Sequence, residues 1–270
     1  SPDGRYLYFV SNRPSGYGGL DIWRTEVLYF NDGTIRFSIP VNIGDTINTQ
    51  YDEMSPFIHT NNLSLYFASN GHVGMGDYDL FLSRRENTSH NWSKPINLGY
   101  PINTYNTENS LVVANDGKTA YFASNKSGFG LEDIFVFDLP EDIQTEPVTA
   151  LELDIITQQI GEEVVLQNVS FTSNSYELEE TSFIELNKLI NYLNKNSYLQ
   201  IEIQGHTDDI GSELDNLILS QERARSVYDY LIVKVQNKLS YKGYGEQKPL
   251  FSNELENGRD LNRRTSFVIW

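Results

Sequence analysis

The chain has 270 residues and no cysteine, with 37 acidic against 20 basic side chains and a formal net charge of −17. That length accommodates two domains with separate cores. The absence of thiols excludes disulfides and thiolate metal sites, and the negative charge argues against nucleic acid or anionic headgroups as partners. No apolar run approaches the length that crosses a bilayer.

The first half is an internal repeat with a period a little under sixty residues. Leu7-Tyr8-Phe9-Val10-Ser11-Asn12 with Asp21-Ile22-Trp23 returns as Leu65-Tyr66-Phe67-Ala68-Ser69-Asn70 with Asp79-Leu80-Phe81, then as Ala120-Tyr121-Phe122-Ala123-Ser124-Asn125 with Asp133-Ile134-Phe135. A second motif interleaves: Pro40-Val41-Asn42-Ile43-Gly44 with Ile47-Asn48-Thr49, and Pro95-Ile96-Asn97-Leu98-Gly99 with Ile102-Asn103-Thr104. Short aromatic strands separated by Gly, Asn and Asp turns predict antiparallel sheets, and their radial repetition predicts an all-β propeller. The visible part amounts to about three blades, over residues 1–139. Glycine-rich Gly16 to Gly19, Gly74 to Gly76 and Gly128 to Gly130 precede Asp21, Asp79 and Asp133. An aspartate recurring at one place in every repeat is read as capping a turn, in preference to catalysis. Ser1-Pro2-Asp3-Gly4 opens inside the repeat without an initiator Met, so the expectation is a fragment of something longer, its lipid anchor or export signal lying upstream.

Residues 140–163 read as an acidic, proline-bracketed linker. No Lys or Arg occurs from Ser127 to Asn187, which predicts a solvated acidic surface or, less simply, a strip for a basic partner. Leu151 to Ile155 alternates as a short strand does.

From 164 to 270 the pattern predicts an α/β two-layer sandwich of order βαβαβ with a closing strand. A strand begins at Val164. Ser182-Phe183-Ile184-Glu185 reads as a capping box before a helix with Leu186, Leu189 or Ile190, and Leu193 on its stripe. Leu199 to Ile203 alternates as a strand. The turn Gly205-His206-Thr207-Asp208-Asp209-Ile210-Gly211 then leads to a helix over roughly Ser212 to Val235, with Leu217, Ser220, Ala224, Val227 and Leu231 along one stripe. Asn216, Leu219, Ser220 and Arg223 share one side of it. Asp208 and Arg223 are read either as a salt bridge stapling turn to helix or as the two ends of a site for a zwitterion. His206 has no second His nearby in sequence and is read as orienting the turn.

The run GHTDDIG…N..LS..RA resembles the signature of the OmpA-like peptidoglycan-binding domain. Phe171, Ser175 to Leu178, Lys242 to Glu246 and Gly258-Arg259…Asn262-Arg263-Arg264 extend the match in order. The resemblance implies a non-enzymatic domain without cofactor or metal. It further implies that Asp208 and Arg223 hold the diaminopimelate of a peptidoglycan stem peptide, with Thr207, Asn216, Leu219, Phe171, Thr172 and Arg264 lining or bracing the pocket. Where the family often carries Phe-Asp, this chain has Phe171-Thr172. The repeat is similar to TolB-type propeller repeats. Together the two resemblances imply a periplasmic protein tethered to the outer membrane, like the Bacteroidota envelope lipoproteins of type IX secretion and gliding, with an outer-membrane β-barrel as partner. The competing expectations are a propeller glycan hydrolase held at the wall, and a scaffold whose pocket is inactive. No distinct carboxylate pair across one bond stands out for the hydrolase.

Overall fold

The computed structural model describes residues 1–30, 34–126, 131–158, 161–172 and 175–270. These form two compact units, Ser1–Val148 and Thr149–Trp270.

The first unit holds three antiparallel sheets, one per repeat. β1 (Tyr6–Ser11), β2 (Asp21–Tyr29), β3 (Ile35–Phe37) and β4 (Val41–Asn42) make the first. β5 (Glu53–Ile58), β6 (Ser64–Ser69), β7 (Asp79–Arg84) and β8 (Ile96–Asn97) make the second, and β9 (Glu108–Val113), β10 (Thr119–Ser124) and β11 (Asp133–Asp138) the third. None of them closes on itself into a ring.

Pairing of β6 with β7 sets Phe67 opposite Phe81 and Tyr66 opposite Leu82, so alternate pairs point to opposite faces. Tyr66, Ala68, Leu80 and Leu82 pack with Leu111, Val113, Ala120 and Phe122 of the third sheet. Leu65, Phe67 and Phe81 join Ile22 and Ile47 of the first repeat. The middle sheet is therefore apolar on both sides, and this explains why its strands lack an exposed polar face.

The repeated aspartates lie at strand starts. Asp21 Oδ2 accepts the Tyr17 N–H at 2.6 Å and Asp79 Oδ2 the Met75 N–H at 2.6 Å, which are turn-capping bonds. In the third repeat Gly128 to Gly130 lies outside the described residues. The interleaved motif forms a clasp. Asn48 accepts from Ile22 N–H at 2.8 Å and donates to Ile22 C=O at 2.9 Å, and Asn103 does the same for Leu80 at 2.8 and 2.9 Å.

The described residues of the stretch 140–163, expected as a linker, include folded elements packed into cores. Leu139 and Ile143, the latter in a 3₁₀ turn Glu141–Ile143, pack in the core of the first unit. Leu151 to Ile155 is helical rather than extended: α1 (Ala150–Thr157) buries Leu151 and Ile155 and opens with a capping box between Thr149 and Glu152.

The second unit continues with β12 (Glu163–Val165), α2 (Ser182–Lys195), β13 (Gln200–Gly205), α3 (Glu213–Ile232), β14 (Lys238–Gly243), α4 (Glu256–Asn262) and β15 (Thr265–Ile269). The sheet order is β12-β15-β13-β14, with β13 and β14 parallel and β15 antiparallel to both β12 and β13. Ile201, Ile203 and Phe267 from the sheet meet Leu186, Leu189, Leu193, Ala224, Val227 and Leu231 from the helices in one core.

Two local expectations differ from the structure. The hydroxyl of Ser182 does not cap α2; it bonds the N–H and C=O of Ser170 at 2.9 Å each, tying the preceding segment to the helix start. On α3 the inward position at the first turn belongs to buried Asn216, and Leu217 faces outward, 37% exposed. α3 also lies unusually near the sheet. A Cβ on Gly205 would stand 2.1 Å from Ser220 C=O, and one on Gly243 2.3 Å from Gln221 N, so these strand positions admit no side chain.

Candidate functional site

The strand β13 ends at Gly205 because the next residues turn away from the sheet. His206 N–H donates to Arg264 C=O at 3.0 Å, and Thr207 N–H to Gly245 C=O at 3.0 Å. Ser212 then caps α3, accepting Asp215 N–H at 3.1 Å. Asn216, on the first turn of α3, donates to Asp208 C=O at 3.3 Å and to Glu246 at 2.7 Å, clamping the turn from behind.

Next to this turn lies a pocket of about 350 Å³ lined by Val169, Ser170, Phe171, His206, Arg223, Arg263, Arg264 and Thr265. Arg223 reaches it from α3. Its guanidinium lies 5.2 Å from the Phe171 ring centroid, and its Nε donates to Ser175 C=O at 3.1 Å. Among the described residues its other two guanidinium nitrogens have no hydrogen-bond partner. Burial works against the charge on Arg223, and Arg263 adds to that, while Asp208 opposes it. The group nonetheless stays cationic, as guanidinium does in proteins. A cation held in this way, half-buried and without a bonded carboxylate, favours any anion that enters.

The carboxylate of Asp208 pairs with Arg263, not with Arg223. Its other oxygen accepts the Ile210 N–H at 3.1 Å. A carboxylate has about four lone-pair sites, so two remain open to a further donor. Arg263 is itself held from outside by Glu256 at 3.1 Å and by Asp260. The turn-to-helix salt bridge considered from spacing alone is thus replaced by a bridge to Arg263, in the link between α4 and β15.

Behind the pocket, Arg264 forms a fork with Glu163 of β12, Nε at 2.6 Å and Nη2 at 3.0 Å, and Nη2 also donates to Lys248 C=O at 3.2 Å. Its Nη1 is buried and has no partner among the described residues, and the same holds for His206 Nδ1 and Thr207 Oγ1. Burial opposes the charge on Glu163, but the Arg264 hydrogen bonds outweigh it and hold the carboxyl below its ordinary value. Burial, with Arg264 beside it, lowers His206 to about 4, so the imidazole is neutral at pH 7. It stacks on Tyr244 at 5.4 Å and 7° between planes.

Of the residues expected at the site, Phe171, Arg223 and Arg264 line the pocket. Asp208 stands one ion pair away, through Arg263. Thr207 is buried in the turn that carries Asp208, and Asn216 is buried on α3, where it donates to Asp208 C=O. Leu219 and Thr172 do not line the pocket; Thr172 is exposed, with its N–H bonded to Glu177 C=O at 3.0 Å. Sequence reading passed over Arg263 and Glu163. The first was visible in the Asn262-Arg263-Arg264 run, but nothing in sequence tells which of two adjacent arginines meets Asp208. Glu163 fell in the stretch read as linker.

Residues 170–263 match the model of the OmpA family, so the second unit contains a domain of that family. Outer membrane porin F of Pseudomonas aeruginosa is 29% identical over 105 residues, 38% of this chain and 30% of the porin. The peptidoglycan-associated lipoprotein of Buchnera aphidicola subsp. Baizongia pistaciae is 34% identical over 102 residues, 37% of this chain and 59% of the lipoprotein. Among solved structures, the peptidoglycan-associated lipoprotein from Burkholderia pseudomallei is 28% identical, covering 40% of this chain and 89% of that one, with a TM-score of 0.35. The chain therefore spans under a third of the length of the porin and well over half of the Buchnera lipoprotein. No described helix is long and apolar enough to cross a membrane.

Proposed function

We propose that this chain is a non-enzymatic anchor of the cell envelope whose second unit binds peptidoglycan through the diaminopimelate of its stem peptide. The observation that carries this reading is Arg223: a charged, half-buried guanidinium seated on Phe171 in a pocket, with two nitrogens unused. In it a carboxylate takes Arg223, and the ammonium of the same amino acid takes an open lone pair of Asp208 beside Arg263. Arg264 braces the floor, and its buried Nη1 is a further donor for the same carboxylate. The name of the peptidoglycan-associated lipoprotein of Buchnera aphidicola, 34% identical over the matched residues, supports the choice of ligand.

The same proposal reads the first unit as three blades of a propeller that docks an envelope partner, an outer-membrane β-barrel by preference. It places the protein at the periplasmic side of the outer membrane through a lipid anchor, in a type IX secretion or gliding assembly. The three successive sheets packed face to face, with matching registers, support the blade reading.

One observation favours a narrower version. Because Asp208 is already paired with Arg263, Arg223 is the principal grip and Asp208 chiefly orients Arg263. Sedimentation with insoluble diaminopimelate-type peptidoglycan tests both versions. Arg223→Ala should lower retention at least about tenfold, the worth of a charge-assisted pair. Asp208→Ala should match that loss if it takes the ammonium, and fall well short of it if it only positions Arg263. Free meso-diaminopimelate should compete and lysine should not. Retention of both variants equal to wild type would sink the proposal.

A further inference from the structure

The three sheets of the first unit occupy equivalent positions in the repeat, yet the third is left incomplete on one side. In the first two repeats the strand that follows the aspartate carries a short outer strand: β2 pairs β4, and β7 pairs β8. The clasp asparagine then bonds the residue after the aspartate, Asn48 to Ile22 and Asn103 to Leu80. A second asparagine steadies each clasp, Asn42 accepting from Asn48 at 2.7 Å and Asn97 from Asn103 at 2.7 Å. β11 is the corresponding strand of the third repeat and, among the described residues, forms the edge of its sheet. No Pro-aliphatic-Asn-aliphatic-Gly run follows it in the chain.

The side chains tell the same story. Ile22 and Leu80 are 0% exposed, whereas their equivalent Ile134 is 80% exposed. Leu82 is 0% exposed and its equivalent Val136 63%; Tyr66 is 0% exposed and Tyr121 45%. The register puts Tyr121 opposite Val136 and Ala123 opposite Ile134, so all these groups share one face of the sheet. That face is the one which, in the second sheet, is covered by the next repeat and by Leu98 and Ile102 of the clasp segment. A long apolar edge strand with an uncovered face is a template for an added strand.

We propose that β11 and the face bearing Tyr121, Ile134 and Val136 are a docking site for an extended segment of the pattern Pro-aliphatic-Asn-aliphatic-Gly-x-x-aliphatic-Asn-Thr. The segment adds antiparallel to β11 at Phe135 and Val136, as β8 adds to β7 at Phe81 and Leu82. Its second asparagine grips the N–H and C=O of Ile134, and the last two of its three aliphatic residues, like Leu98 and Ile102 in the second sheet, cover Ile134 and Val136. The occupant follows from the two completed copies of the same joint within this chain, so its chemistry is specified down to the amide that reads the strand edge. The site lies wholly in the first unit and holds whether or not the second unit takes peptidoglycan.

The test uses the full chain and a synthetic peptide with the sequence of residues 94–106, which contains the second clasp. Titration should show saturable binding, and amide exchange should slow at Ile134 and Val136, whose equivalents in the second sheet face the clasp, Leu80 bonding Asn103 through its N–H and C=O and Leu82 pairing with Ile96. Replacing the asparagine of the peptide that corresponds to Asn103 by alanine should weaken binding by about tenfold or more, since two buried hydrogen bonds go with it. Val136→Lys in the protein should weaken it similarly while leaving the fold intact, because that side chain is exposed. No saturable binding, or protection at Leu80 instead of Ile134, would overturn the proposal. So would self-association of the chain that Val136→Lys abolishes without any peptide bound, because the face would then belong to a second copy.

Discussion

The two units handle buried carboxylates in opposite ways. In the first, Glu53 and Glu108 are 0% exposed and are satisfied by neutral donors from their own sheet and from the end of the preceding repeat. Glu108 takes Thr104 N–H at 2.9 Å, Thr104 Oγ1 at 2.6 Å and Ser124 Oγ at 3.1 Å; Glu53 has the same set from Thr49 and Ser69 at 2.7, 2.8 and 2.8 Å. In the second, Asp208 and Glu163 face arginines, and those arginines line a pocket with donors left over. The difference is that the first kind of carboxylate is closed off by neutral neighbours, whereas the second is answered by a cation, with an unpaired Arg264 nitrogen beside the pocket.

That contrast can be broken in several ways. The largest effect should come from Arg264→Ala, which strands Glu163 against the pocket floor. Removing one member of a buried pair costs about 3–5 kcal/mol, and urea denaturation followed on the second unit should show it. Glu108→Ala leaves three donors without an acceptor and should destabilise the first unit by about 3 kcal/mol. Its peptidoglycan retention, measured below the transition, should not change; a parallel loss would erase the division between joint and site.

The next effect is on pH. His206 is lowered from its ordinary value to about 4, so between about 6.5 and 4 the unfolded chain binds the proton and the folded one does not. Stability is therefore full above about pH 6.5 and declines as pH falls toward 4, by up to about 3 kcal/mol. Glu163, also held below its ordinary value, acts in the same direction at the acid end. Denaturation curves across that range should show the decline in wild type, and His206→Gln should flatten it. Phe171→Ala is a smaller perturbation: it removes the ring under Arg223 and should weaken wall binding by about 1 kcal/mol, seen as a few-fold drop in retention. Val136→Lys, on the exposed face of β11, should move stability by no more than about 0.5 kcal/mol.

Much of the second unit could be read from local pattern because its key segment is local. Strand, turn and helix from Gln200 to Ile232 follow one another, and alternation, glycines and a serine cap mark each change. The repeat was equally plain, since recurrence multiplies a weak signal. The failures have a common cause in contacts between distant residues. Glu163 and Arg264 are 101 positions apart and meet only because β12 pairs with β15. Asp208 meets Arg263 across 55 positions. Leu151-Glu152-Leu153-Asp154-Ile155 alternates like a strand, but the cap from Thr149 to Glu152 and burial of Leu151 with Ile155 made it a helix. The cap signal was present there and was overlooked, while the similar Ser182-to-Glu185 spacing was claimed by a tertiary bond to Ser170.

The bare strand positions at Gly205 and Gly243 bear on how an anchor behaves under load. With no side chain between them and α3, the helix rests on backbone, and backbone is far stiffer than a layer of rotatable groups. In the proposed wall complex, tension on Arg223 would pass straight into the sheet without first compressing a cushion. A single methyl at Gly205, 2.1 Å from Ser220 C=O, would jack the helix outward by more than an ångström and carry the grip out of line.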